Sequence, residues 1–110
     1  MEIVRIVVNK LYIKLKQLYG DDLVKVLLYG SFARGDYHEY SDVDVMVLVK
    51  CGEDWIKKLD RELCSFESRL CVDYEVDLSV YTKNIEYFNY WKESMPYFRS
   101  IATEGVEVVA

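Results

Sequence analysis

Residues 42–49 read Asp-Val-Asp-Val-Met-Val-Leu-Val, and this run limits the possible folds more tightly than any other. Successive side chains on an extended strand alternate between its two faces, with a rise of about 3.3 Å per residue. Asp42 and Asp44 therefore project together, roughly 6.5–7 Å apart at their Cα atoms. Val43, Val45, Val47 and Val49 project to the opposite face, where a core needs them. Such a strand belongs in a sheet covered by other elements on at least one side. The pattern separates chemistry from packing.

The rest of the chain supplies that cover. Val4, Val7, Val8, Leu11, Leu15 and Leu18 recur at spacings of three and four, the stripe of an amphipathic helix from about Glu2 to Tyr19. Gly20 ends it, because glycine takes the left-handed conformation without a steric penalty. Leu23 to Tyr29 is another apolar strand. Between the two strands, Gly30 to Ser41 fits neither period and reads as a turn, one helical turn and a loop. Trp55, Ile56, Leu59, Leu63, Phe66 and Leu70 mark a second long helix after Gly52. Val72, Tyr74, Val76, Leu78 and Val80 alternate with Asp73, Glu75, Asp77 and Ser79, which predicts a third strand with one polar face. Ile85, Phe88, Trp91 and Met95 predict a third helix ending at Pro96, whose ring disfavours helical backbone in the residue before it. A short helix from Pro96 to about Thr103 follows, and Gly105 to Val109 forms an edge strand. Helices alternating with strands define an α/β architecture, a central mixed β-sheet flanked by helices, in one domain spanning residues 1–110.

Composition narrows the function. A chain of 110 residues, 52% hydrophobic and 30% charged, suits one compact soluble domain. Its formal net charge of −5 argues against holding nucleic acid by broad phosphate neutralisation. It leaves room for a phosphate-bearing ligand that arrives with metal ions. The start, Met1-Glu2-Ile3-Val4-Arg5, lacks the features of a secretory signal, so a cytoplasmic location is expected. No apolar run approaches the ~20 residues of a membrane span. Cys51, Cys64 and Cys71 are spaced unlike a zinc or redox site and read as packing thiols.

The informative constellation is Gly30-Ser31, then Asp42-Val43-Asp44, then Asp77 on the next strand. Two carboxylates this close repel unless a cation sits between them, and hard oxygen ligands suit Mg²⁺ or Mn²⁺. If the third strand pairs beside the second, Asp77 joins them, giving three carboxylates for two ions about 3.5–4 Å apart. Such a pair clamps the attacking and leaving oxygens of a phosphoryl transfer. Gly30 ends its strand where a Cβ would obstruct close approach. Ser31 opens a short helical turn whose free N–H groups can cradle phosphate oxygens. Arg34 has the reach and the planar donor fork for a second phosphate contact.

At these residues the chain resembles a minimal nucleotidyltransferase of the DNA polymerase β-like superfamily. The resemblance rests on Gly30-Ser31-Phe32-Ala33-Arg34-Gly35-Asp36, Ser41-Asp42-Val43-Asp44 and Asp77, and extends over most of the chain through the order of its elements. It implies the polymerase β-like fold and transfer of a nucleoside monophosphate, usually from ATP, to an acceptor hydroxyl with release of pyrophosphate. It also implies that Asp42 and Asp44 hold the metals, that Asp77 completes the site and helps deprotonate the acceptor, and that Gly30 and Ser31 bind the triphosphate. Members this small resemble the antitoxin of HEPN–MNT pairs, whose partner is a helical ribonuclease toxin silenced by AMP on a tyrosine. The expectation is then a hetero-oligomer with such a toxin. Two alternatives stay open, a small-molecule acceptor of the aminoglycoside type and an antitoxin that acts by contact alone.

Other residues weigh less. Tyr37, Tyr40, Tyr87, Tyr90 and Tyr97 fall in regions expected to be partly exposed, a pattern shared by interfaces and by rings at the margin of a core. His38 reads as a solvated loop residue. Asp73 and Glu75 are expected on the polar face of Asp77, and Lys83 just beyond that strand as a surface lysine.

Overall fold

The valine run becomes a central strand because both of its faces find apolar partners. A computed structural model describes residues 2–30 and 42–108. In it β1 (Leu23–Tyr29) pairs antiparallel with β2 (Val43–Val49), and β2 pairs parallel with β3 (Leu78–Asn84). A short β4 (Val106–Glu107) joins the other side of β1 antiparallel, giving the strand order β3-β2-β1-β4. This is the expected mixed sheet.

On one face Val43, Val45, Val47 and Val49 are at most 1% exposed. They pack with Val26 against α1 (Glu2–Tyr19) and α2 (Glu53–Tyr74). The α1 side of this core is Val4, Val7, Val8, Leu11 and Leu15, the stripe read from the sequence. The helix stops at Gly20, whose φ is +55°. From α2 come Ile56, Leu63 and Leu70, seven residues apart and so on one face at 3.6 residues per turn. Burying each such side chain contributes about 1.5–3 kcal/mol. On the other face Met46 and Leu48 join Leu27 and Tyr29 beneath Phe88 of α3 (Ile85–Trp91) and Phe98 and Ile101 of α4 (Pro96–Glu104).

Two boundaries differ from the sequence reading. The strand expected from Val72 to Val80 begins only at Leu78, because α2 runs on to Tyr74 and leaves Val72 76% exposed. Leu63, Phe66, Leu70 and Tyr74 continue the three-four spacing, so the alternation at 72–76 competes with a helical stripe and loses. Glu75 ends the helix with φ 52°, its N–H donating to the Cys71 carbonyl. Asp73 therefore lies in the last turn of α2 and Glu75 at its cap, off the strand on which both were expected. Lys83 lies inside β3 rather than beyond it.

The helix expected to reach Met95 ends at Trp91. The carbonyl of Trp91 accepts from the N–H groups of Ser94 and Met95, at 3.0 and 2.9 Å. Met95 then has the extended conformation that Pro96 imposes on its predecessor, φ −100° and ψ 116°. Asn84 joins the elements at that end of the sheet. Its Oδ1 accepts from Glu86 and Tyr87 N–H at 2.9 and 3.1 Å, capping α3. Its Nδ2 donates to the Lys50 and Cys51 carbonyls at 3.1 and 2.9 Å. At the other edge Val108 N–H donates to the Val26 carbonyl at 2.8 Å, extending the pairing of β4 by one residue. No helix among the described residues is long and apolar enough to cross a membrane.

Candidate active site

Register brings the carboxylates together. Val43 pairs with Leu78 and Asp44 with Ser79, and Val43 N–H donates to the Asp77 carbonyl at 2.8 Å. Asp42 and Asp77 thus stand side by side, each one residue before its strand. Asp44 follows on the same face as Asp42, as the two-residue period requires. The valines face the opposite core.

The three side chains act on one another electrically. Hydrogen bonding toward the Asp77 side chain, then the charge of Asp77, raises the Asp42 pKa above its ordinary value. Asp44 is half-buried, and burial first, then the charges of Asp42 and Asp77, push its pKa up as well. Among the described residues no Lys or Arg pairs with any of the three, and the ion pair found, Lys14–Glu62, joins α1 to α2 behind the opposite face. A hard cation would relieve the repulsion among the three charges, so the donor set fits Mg²⁺ or Mn²⁺. Among the described residues no three His, Cys, Asp or Glu side chains close around a single point as a ready cage. The carboxylates form an open edge.

Gly30 sets the position of Asp44. Its φ is +80°, and a Cβ there would stand 2.7 Å from Asp44 Oδ2. Both the backbone conformation and the close approach demand glycine. Its proposed companions Ser31 and Arg34, with Tyr37, His38 and Tyr40, lie outside the described residues.

Sequence reasoning missed a pair of tyrosines beside the carboxylates. Tyr29 pairs in register with Asp44 and shares its face of the sheet. Its hydroxyl lies 2.7 Å from that of Tyr97, and the two rings meet edge to face, 6.1 Å apart at 84°. Burial, then the bond to Tyr97, then the charges of Tyr97 and Asp44 push the Tyr29 pKa well above its usual value. The signal was present in part, since Tyr29 directly precedes Gly30 and a hairpin pairing sets it opposite Asp44. Nothing local pointed to Tyr97. Lys83 lies six residues along β3 from Asp77, about 20 Å at the rise of an extended strand. Its Nζ stands 5.7 Å from the centre of the Tyr87 ring, near a cleft of about 380 Å³ that Gly52 and Asn84 also line. A second cleft of about 340 Å³ between α1 and α2, lined by Lys10, Ile13, Phe66 and Arg69, opens behind the valine face. Neither contains the carboxylates.

A mixed sheet that presents three carboxylates at the N-terminal ends of two parallel strands, beside a left-handed glycine, suits metal-assisted phosphoryl transfer. The sequence profile of the nucleotidyltransferase domain matches residues 8–108, and the chain belongs to that family. It is 38% identical over 88 residues to the candidate protein adenylyltransferase MJ0141 of Methanocaldococcus jannaschii, a match that covers 78% of this chain and 86% of that protein. A second candidate protein adenylyltransferase of the same organism, MJ1305, is 57% identical over 37 residues, 34% of this chain, and the match spans only 25% of that protein's length. Among solved structures, a chain of a toxin–antitoxin crystal structure with AMP-PNP superposes with a TM-score of 0.51 at 19% identity, over 89% of this chain and 69% of the other. That likeness is one of fold.

Proposed function

We propose that this chain is a cytoplasmic protein adenylyltransferase acting as an antitoxin. It moves AMP from ATP to a tyrosine hydroxyl of a helical HEPN-type ribonuclease toxin, with which it forms a hetero-oligomer. The observation that carries the reading is the register of β2 against β3, which assembles Asp42, Asp44 and Asp77 on one edge. The names of the relatives support adenylyl transfer to a protein, and the toxin–antitoxin likeness supports the partner.

In this reading Asp42 and Asp44 hold two divalent ions, Mg²⁺ or Mn²⁺, and Asp77 completes the set. When bound, the ions neutralise the triphosphate and polarise the reacting phosphate. Gly30 and Ser31 bind the triphosphate, and Arg34 adds a planar contact to it. The acceptor oxygen forms a bond to the α-phosphorus as the bond to the pyrophosphate oxygen breaks. The hydroxyl proton passes to Asp77, which stands beside Asp42 at the edge where β2 and β3 begin. The rest is positioning, since an in-line displacement asks little covalent chemistry of the protein.

The test is the intact mass of a co-purified helical partner after incubation with this protein, ATP and Mg²⁺. A gain of whole AMP units, absent with the Asp42→Asn, Asp44→Asn double variant, is the expected result. An unchanged partner mass while that partner is still silenced would replace adenylyl transfer with contact alone.

A further inference from the structure

The tyrosine pair beside Asp44 has no part in the chemistry described so far. Tyr29 occupies the β1 flank of the carboxylates, next to Gly30, whereas Asp77 occupies the β3 flank. An acceptor whose proton goes to Asp77 approaches from the β3 side. In-line displacement puts the acceptor and the pyrophosphate at opposite ends of one axis, so a triphosphate that reaches Gly30 takes the β1 end, and the nucleoside leaves across that axis, over the face of the sheet that Tyr29 shares with Asp44.

What stands there is Tyr97, 50% exposed yet held in place. Its hydroxyl is bonded to the hydroxyl of the buried Tyr29 at 2.7 Å, and its ring meets Tyr29 at 6.1 Å and Phe98 at 5.7 Å. It sits in the first turn of α4, directly after Pro96, whose fixed φ stiffens that turn. An exposed ring ordinarily loses rotamer freedom when it takes a ligand. Here the hydroxyl contact with Tyr29 and the ring contact with Phe98 already restrict that freedom. A flat, anchored π-face beside a phosphate-binding edge suits a purine base, the nucleoside part with the largest stacking area.

We propose that Tyr97 is the stacking shelf for the purine base of the nucleoside triphosphate, and that Tyr29 is a positioning residue that holds the shelf through its hydroxyl. The inference rests on the nucleotide-transfer reading above and adds the subsite for the base.

Equilibrium binding of ATP and of inorganic tripolyphosphate, both with Mg²⁺, separates the possibilities. Tyr97→Ala is expected to weaken ATP binding about 5- to 100-fold, the range for losing one base–aromatic stack. Tripolyphosphate, which has no base, should bind as to the wild type. Tyr97→Phe keeps the ring and should retain most of the ATP affinity, with Tyr29→Phe showing a small loss confined to ATP. Tyr90→Ala, which removes a ring 69% exposed on α3, should change neither ligand. Unchanged ATP affinity in Tyr97→Ala, or an equal loss for both ligands, would overturn the shelf while leaving the nucleotide reading in place. A wild-type protein that binds neither ligand would overturn that reading and the shelf with it.

Discussion

The two faces of β2 are built from one strand and behave differently. On one, four valines repeat without interruption and every position is packed. On the other, Asp44 gives way to Met46 and Leu48, so polar and apolar halves meet beside Tyr29. The first face has only to exclude water. The second must also hold a half-buried carboxylate next to a core, which calls for groups that can change partners. A strand shared in this way lets stability and chemistry be perturbed separately.

The largest expected effect is on the chemical half. Asp44→Asn keeps the shape of the side chain and removes its charge, so AMP transfer should fall by at least about a hundredfold. Thermal unfolding should be unchanged or slightly later, because the repulsion with Asp42 and Asp77 is relieved. Single-turnover transfer alongside a melting curve checks both halves. Val47→Ala is the counterpart on the valine face, where the cavity should cost about 2–3 kcal/mol in denaturant unfolding. The metal affinity of the protein that remains folded should be retained, and its loss would show that the faces are not separable.

Gly30→Ala tests the seam between the halves. A side chain in the left-handed region costs about 1–2 kcal/mol, and its Cβ would displace the Asp44 carboxylate. Stability and transfer should fall together, in contrast to the two single-face variants. Asn84→Ala acts at the far end, away from the carboxylates. It removes the α3 cap and the bonds to Lys50 and Cys51, for an expected loss of about 1–2 kcal/mol.

The smallest effect concerns Glu67, a partly buried carboxyl of α2. Burial of Glu67 against β3 raises its pKa above the ordinary 4.5, opposed by a hydrogen bond from the Val80 backbone. The folded state then binds its proton more tightly than the unfolded state does. This group's contribution is fully present below pH 4.5 and is lost as pH rises through the raised value. Glu67→Gln should remove that slope and leave the protein slightly more stable at pH 7. A steeper decline in the variant would assign the wrong sign to its burial.

How far the sequence carried the fold depended on whether one period or two described a segment. At α1 a single stripe and a terminal glycine agree, and the helix ends where they place it. At 72–76 two periods fit the same residues, and packing of Tyr74, the last residue of α2, against the core decided for the helix. The carboxylate trio was legible because a two-residue repeat and one strand pairing suffice to assemble it. The tyrosine pair was not, since the partners are 68 residues apart and meet only when α4 is seated on the sheet.

The bond from Val43 N–H to the Asp77 carbonyl has a further consequence. Neighbouring strands keep a spacing of about 4.8 Å whatever side chains they carry. The separation of the backbones bearing Asp42 and Asp77 is therefore a length standard written in peptide units. Substitutions scattered through the helices can reshape the surface without altering that gauge.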